Sequence, residues 1–247
     1  MKPKDYHWAH AVNSLAFLEQ TLADRVITAI EADVIYSDIQ QRAVMGHPPH
    51  TDSDLTLDAF LSRIGSSEAP PGLIVKLDFK SDQAFTAALD TVASWMPVAR
   101  AKQTNVFVNA DILQGPGGAV PKFDALKFVK TSLTRFGHDV VLSLGWTTGA
   151  RSASDPMSID YSIGMVDEML RLTQETCFGA TVTFAVRAVS VIESWEALAR
   201  LLDANRQFGF TLWYPSVSHR VFDELVELLE SRDDYRNRTY YDMGFSD

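Results

Sequence analysis

The stretch Thr28-Ala29-Ile30-Glu31-Ala32-Asp33-Val34-Ile35 reads as a β-strand, short and otherwise apolar, yet it carries two carboxylates. Side chains alternate across a strand, so Glu31 and Asp33, two apart, face one side while Ile30, Ala32 and Val34 face the other. Leu73–Lys80 repeats the pattern: Lys76, Asp78 and Lys80 alternate with Val75, Leu77 and Phe79. In Val106–Ile112, Asn109 and Asp111 do the same. Parallel strands in α/β folds are covered on both faces, so three polar faces are costly unless they line a site.

Outward from these strands, β-rich runs alternate with stretches of helical period, which points to βα units and a parallel sheet. The expected strands are Trp8–His10, Thr28–Ile35, Ala43–His47, Leu73–Phe79, Asn105–Ile112, Val140–Gly145, Thr181–Ala188 and Phe210–Tyr214. Helices are expected near Ser14–Ala23, Thr56–Ile64, Asp82–Trp95, Lys122–Arg135, Ser158–Thr173, Ser194–Asn205 and Arg220–Arg232, several opening on a Ser, Thr or Asp that can cap the first turn. Eight strands closing on themselves make a (β/α)8 barrel of the TIM type, with functional groups at the C-terminal strand ends. Ser37–Arg42 is too short for a helix, so the barrel should be irregular between its second and third strands; a doubly wound open sheet satisfies the same alternation. The Pro- and Gly-rich segments Glu68–Gly72 and Gln114–Pro121 read as loops, and residues 1–247 as a single domain.

Composition narrows the partners. A hydrophobic fraction of 46% in 247 residues supplies a large core, and the formal net charge of −10 disfavours a general binder of nucleic acid or anionic membrane. No apolar run is long enough to span a bilayer, and Met1–Trp8 lacks the apolar stretch of a secretory signal, so a cytoplasmic location without stable membrane insertion is expected. Cys177 is the lone cysteine, which excludes an internal disulfide and reads as a buried small residue.

Two carboxylates on one strand face repel, and a divalent cation with hard oxygen ligands, Mg²⁺ or Ca²⁺, would offset that; solvation at a rim or bonds from backbone amides would also serve. His10 and His47 end expected strands on the side where a barrel carries its site, whereas His138 and His219 fall in helix or loop segments and His7 and His50 sit beside the strand ends. An imidazole pair can act as general base and general acid on a phosphodiester, because its pKa lies near neutrality.

The order His10, Glu31-x-Asp33, His47, Asp78-x-Lys80 resembles the active-site string of the phospholipase C-like phosphodiesterases, including the glycerophosphodiester phosphodiesterases. The segments His10-Ala-Val-Asn-Ser, Ile30-Glu-Ala-Asp-Val, His47-Pro-Pro, Ser53-Asp-Leu-Thr-Leu, Lys76-Leu-Asp-Phe-Lys, Asn109-Ala-Asp-Ile-Leu, Gly115-Pro and Ser143-Leu-Gly-Trp-Thr-Thr resemble the menorin family, itself related to that superfamily. The resemblance implies that His10 and His47 are the acid/base pair, that Glu31, Asp33 and Asp78 hold one divalent cation, and that Lys80 holds substrate phosphate. The diesterases usually place Arg after the first His; here Ala11 stands there, which shifts phosphate binding to Lys76, Lys80, Arg187 or the metal. Asn13 reads either as a further oxygen ligand or as a helix-start residue.

Two functions are therefore expected in competition. One is a metal-dependent phosphodiesterase acting on a small or lipid-derived phosphodiester. The other is a non-catalytic binder of a small anionic or sugar-like ligand, with Asn109, Asp111, Trp146, Arg187 and Trp213 as a polar and aromatic mouth.

Overall fold

The computed structural model describes residues 2–149 and 160–246. Among them, β1 (Trp8–Ala9), β2 (Ala29–Ser37), β4 (Ile74–Phe79), β5 (Asn105–Gln114), β6 (Val140–Thr147), β7 (Thr181–Arg187), β8 (Phe208–Ser218) and β9 (Thr239–Ser246) follow one another in a single sheet, in that order. The short β3 (Arg42–Met45) lies off this path. Helices α1 (Leu15–Ala23), α2 (Leu57–Gly65), α3 (Asp82–Ala101), α4 (Ala125–Phe136), α5 (Ile163–Thr176), α6 (Trp195–Ala204), α7 (His219–Glu230) and α8 (Asp233–Arg236) fill the connections. Eight strands in sequential order, separated by helices, are the arrangement of a (β/α)8 barrel.

Two strand assignments are corrected. The run expected at Ala43–His47 is not a stave: β3 pairs antiparallel with β2, from Val34↔Met45 to Ser37↔Arg42, as the return arm of a hairpin. The eighth stave is instead β9, which pairs parallel with β8 from Phe210↔Thr239 onward and places Asp242 beside Trp213. The β8–β9 register shifts between Tyr214 and Val217, and Gly244 lies opposite the bulge, where a Cβ would collide with the Pro215 carbonyl.

Ser14, Thr56, Ser81, Ser162 and Ser218 each accept a backbone N–H in the first turn of α1, α2, α3, α5 and α7. Helix α3 runs six residues beyond the expected end at Trp95, although Pro97 cannot donate to the Ala93 carbonyl. Buried Trp95, Met96 and Ala99 hold this last stretch against its neighbours, so packing outweighs the lost bond. The Ser158 start expected for α5 lies outside the described residues; the helix itself starts at Ile163.

The chain groups into two compact units. One comprises His7–Ala110 with Lys130–Val141. Its core includes Leu18, Phe60, Ile64 and Val92, with Phe85 edge-on to Phe79 at 5.2 Å and to Phe136 at 6.4 Å. The other comprises Met1–Tyr6, Asp111–Val129 and Leu142–Asp247. There Phe184 meets Phe208 at 5.3 Å, and Leu198, Leu201 and Leu202 of α6 are buried. Each such apolar side chain removed from water is worth about 1.5–3 kcal/mol. Among the described residues no helix is long and apolar enough to cross a membrane.

Candidate metal centre

Strand register assembles the polar cluster. Parallel pairing sets Glu31 beside Lys76, Asp33 beside Asp78, and Asp78 beside Asn109. Register partners share a face, so the period-two pattern of three strands becomes one polar surface. Glu31, Asp33, Lys76 and Asn109 are all buried. One oxygen from each of Glu31, Asp33 and Asp78 falls within 4.8 Å of the others, the only such group of three among the described residues. Three hard oxygen donors from three carboxylates suit Mg²⁺ or Ca²⁺.

Every one of these carboxylates is gripped by an uncharged amide. Asn13 holds Asp33 twice: its Oδ1 accepts the Asp33 backbone N–H at 2.8 Å, and its Nδ2 donates to Asp33 Oδ2 at 2.6 Å. Asn109 Nδ2 donates to Asp78 Oδ1 at 2.7 Å. The backbone N–H of Ala11, a residue with a left-handed φ of 56°, donates to Glu31 Oε2 at 2.8 Å. Asn13 is fixed in turn by Ser53, whose Oγ donates to its carbonyl at 3.0 Å, while Asp54 accepts the N–H of Leu15 at 3.1 Å. The Ser53-Asp-Leu-Thr-Leu segment thus braces the β1–α1 loop and then, through Thr56, starts α2.

Charge inside the cluster is balanced by lysine. Lys80, just past β4, has its backbone N–H on the Val34 carbonyl at 3.0 Å. Its Nζ lies 2.6 Å from Asp33 Oδ1 and 2.5 Å from Asp78 Oδ2. Burial alone would raise the Asp78 carboxyl, but Lys80, Lys76 and the Asn109 amide together hold it below the usual carboxylate range. Burial would likewise favour neutral Lys80; Asp78, Asp33 and Glu31 outweigh it and push the ammonium well above the usual lysine range.

His10, half exposed, turns Nδ1 toward Glu31 Oε2 at 3.4 Å. His47 is exposed and its Nδ1 lies 2.6 Å from the Pro48 carbonyl, next to a cis Pro48–Pro49 bond. It directly follows Gly46, whose N–H binds the Asp33 carbonyl at 2.9 Å.

The remaining expected residues, Asp111, Trp146, Arg187 and Trp213, belong to the second compact unit. Arg187 sits over the Trp213 ring at 5.8 Å and donates to the Gly149 carbonyl at 2.8 Å. The backbone N–H of Arg187 bonds to the Tyr161 hydroxyl at 3.1 Å. Burial, with Asp111 adding to it, raises the Tyr161 hydroxyl above the usual range although Arg187 opposes this. Trp146 is a core residue and not a mouth residue: it is 1% exposed, edge-on to Tyr161 at 5.2 Å, and shares its strand face with Leu142 and Leu144. The first turn of α1 is capped by Ser14, and the Asn13 side chain clamps Asp33. Asp242, fully buried in β9, is a carboxylate that the sequence reading missed together with its strand.

A family model described as Menorin N-terminal domain matches residues 4–245. Human Protein FAM151B is 33% identical over 239 residues, covering 96% of this chain and 81% of that protein. Among solved structures, an AP endonuclease of family 2 from Brucella melitensis superposes with a TM-score of 0.49 at 13% identity, over 96% of this chain and 92% of the other. A sugar phosphate isomerase/epimerase from Parabacteroides distasonis gives 0.44 at 9%, over 97% and 88%. Likenesses that low carry no conclusion about chemistry. The match along nearly the whole chain, together with the identity to the human protein, makes this chain a member of the menorin family.

Proposed function

We propose that the chain is a metal-dependent phosphodiesterase acting on a small or lipid-derived phosphodiester. The observation that carries this reading is the convergence of Glu31, Asp33 and Asp78 within 4.8 Å, with His10 in ion-pair reach of the first of them. A divalent ion held there would supply positive charge to the phosphoryl oxygens. Glu31 faces Nδ1 of His10 and would orient the ring, and the imidazole is assigned to take or give the proton of the attacking or departing oxygen. His47 is assigned the complementary proton transfer, supported by its place next to Gly46 and the Asp33 carbonyl. Lys76 and Lys80 are assigned the phosphate charge that an arginine after His10 meets in the diesterases, and Asn109 keeps Asp78 oriented.

The test is turnover of a generic aryl phosphodiester with Mg²⁺ or Ca²⁺, and again after chelation. Replacing His10 or His47 by Ala should cut turnover by about 10²–10⁴, the usual worth of general acid/base help. Glu31→Gln should remove the metal dependence. If the parent binds the ion yet turns over no phosphodiester, the second reading takes over: a binder of a small anionic or sugar-like ligand. The pairing of Arg187 with Trp213, beside Asp242 in strand register, favours that one. Asp111 would belong to the same ligand surface, on the strand after Asn109.

A further inference from the structure

We propose that Lys80 is a resident counter-ion of the carboxylate cluster which a divalent cation displaces, so that metal binding and release of the Lys80 ammonium are one event. The inference rests on the metal-binding part of the proposed function and adds an exchange step to it.

The geometry is one of divided carboxylates. On Asp33, Oδ2 is taken by the Asn13 amide and Oδ1 by Lys80. On Asp78, Oδ1 is taken by the Asn109 amide and Oδ2 by Lys80. Each carboxylate thus has one oxygen held by a neutral donor and the other turned to the ammonium. Lys80 Nζ stands 2.6 Å and 2.5 Å from those two oxygens, while a hard divalent ion takes oxygen ligands at about 2.0–2.6 Å. An ion drawing on the same pair of oxygens therefore needs nearly the volume that Nζ fills, and two cations cannot share it. The neutral clamps stay when the ammonium leaves, so the carboxylates keep their positions for the incoming ion.

Lys80 is built to leave. Its backbone is pinned to Val34, but its side chain is one-fifth exposed and four methylenes long, enough to swing without disturbing β4. Once displaced, the ammonium is available for an anion arriving beside the ion. The order of events follows from this, cation first and phosphate second. The cluster would also bind divalent ions more weakly than three carboxylates without an internal competitor.

Amine labelling tests the exchange directly. The intact protein is reductively methylated with and without saturating MgCl2 or CaCl2, binding of the ion is measured in parallel by calorimetry, and labelling is read lysine by lysine by mass spectrometry. Lys80 labelling should rise several-fold with bound ion. Lys102, whose Nζ donates to the Ala69 carbonyl at 2.7 Å and to the Ser66 carbonyl, should not change. The ion should bind Lys80→Met at least about tenfold more tightly than the parent, as expected when a like charge is removed from the site. If that variant fails to fold, labelling of the parent still decides. Ion binding with Lys80 labelling unchanged overturns the exchange and leaves the metal site standing; no ion binding in parent or variant overturns both.

Discussion

Asn13 reads Asp33 at two points, its backbone N–H and its carboxylate, at 2.8 Å and 2.6 Å. A single side chain thereby fixes both where β2 runs and where one of its acids points. Asn13→Ala should cost about 1–3 kcal/mol of stability, because it leaves a buried backbone donor and a carboxylate oxygen without partners. It should also weaken divalent-ion binding by about 10–100-fold, the usual effect of removing a group that orients a ligand. Denaturant melts and calorimetry measure the two effects separately. Retention of both values would mean that Asp33 is positioned by its strand alone.

Stability should form a plateau in pH bounded by the ion cluster. Asp78 titrates below the usual carboxylate range, so its contribution is present above that range and is lost as the pH falls through its depressed value. Lys80 titrates above the usual lysine range, so its contribution is complete below that range and is lost as the pH rises through its raised value. The melting temperature should therefore be flat between about pH 5 and 9 in this respect. Asp78→Asn should lower the plateau by about 3 kcal/mol, as for a broken buried ion pair, and flatten part of the acid limb. Parallel acid limbs in parent and variant would remove Asp78 from the pH dependence.

Ala11 holds φ at 56°, a conformation that costs an L-residue about 1–2 kcal/mol, and from it directs its N–H to Glu31. Ala11→Gly relieves that strain but adds freedom to the unfolded chain, so a net gain of about 0.5–1 kcal/mol is expected. Ala11→Pro forbids the φ and deletes the donor, and should lose about 3 kcal/mol or more. Chemical denaturation of the pair gives the comparison. Were Ala11→Gly destabilising, the Cβ of Ala11 would be making a packing contact that outweighs the strain.

A chain ended at Arg238 should fail to form native tertiary structure. It loses the strand that covers β8 from Phe210 to Ser218, and with it buried Thr239, Tyr241 and Asp242. An uncovered β8 would present a row of unpaired backbone groups, which invites aggregation. Loss of near-ultraviolet circular dichroism in the truncated chain is the readout; a native spectrum would make β9 dispensable.

The carboxylate cluster was legible because period-two spacing is a local property: Glu31, Asp33, Lys76, Asp78 and Asn109 declare their face from sequence, and register only has to align them. Barrel membership is not local. Ala43–His47 reads as a short strand and Thr239–Ser246 does not, yet the choice of partner, β2 antiparallel or β8 parallel, makes the first a hairpin arm and the second a stave. Trp146 reads as part of an aromatic mouth by residue type, whereas alternation along β6 puts it with buried Leu142 and Leu144. The grip of Asn13 on Asp33 joins residues twenty apart, and the reach of Lys80 to two carboxylates depends on side-chain torsions that no spacing encodes.

Among the described residues, Asn13, Lys80 and Asn109 place hydrogen bonds or ion pairs on the carboxylates of Asp33 and Asp78. These contacts are therefore inherited within the first 109 positions of the chain. One substitution at Asn13, Lys80 or Asn109 would change the surroundings of the cluster while every carboxylate remains in the sequence. Relatives that keep Glu31, Asp33 and Asp78 but change those three neighbours should therefore be sorted by their clamps before they are credited with a shared activity.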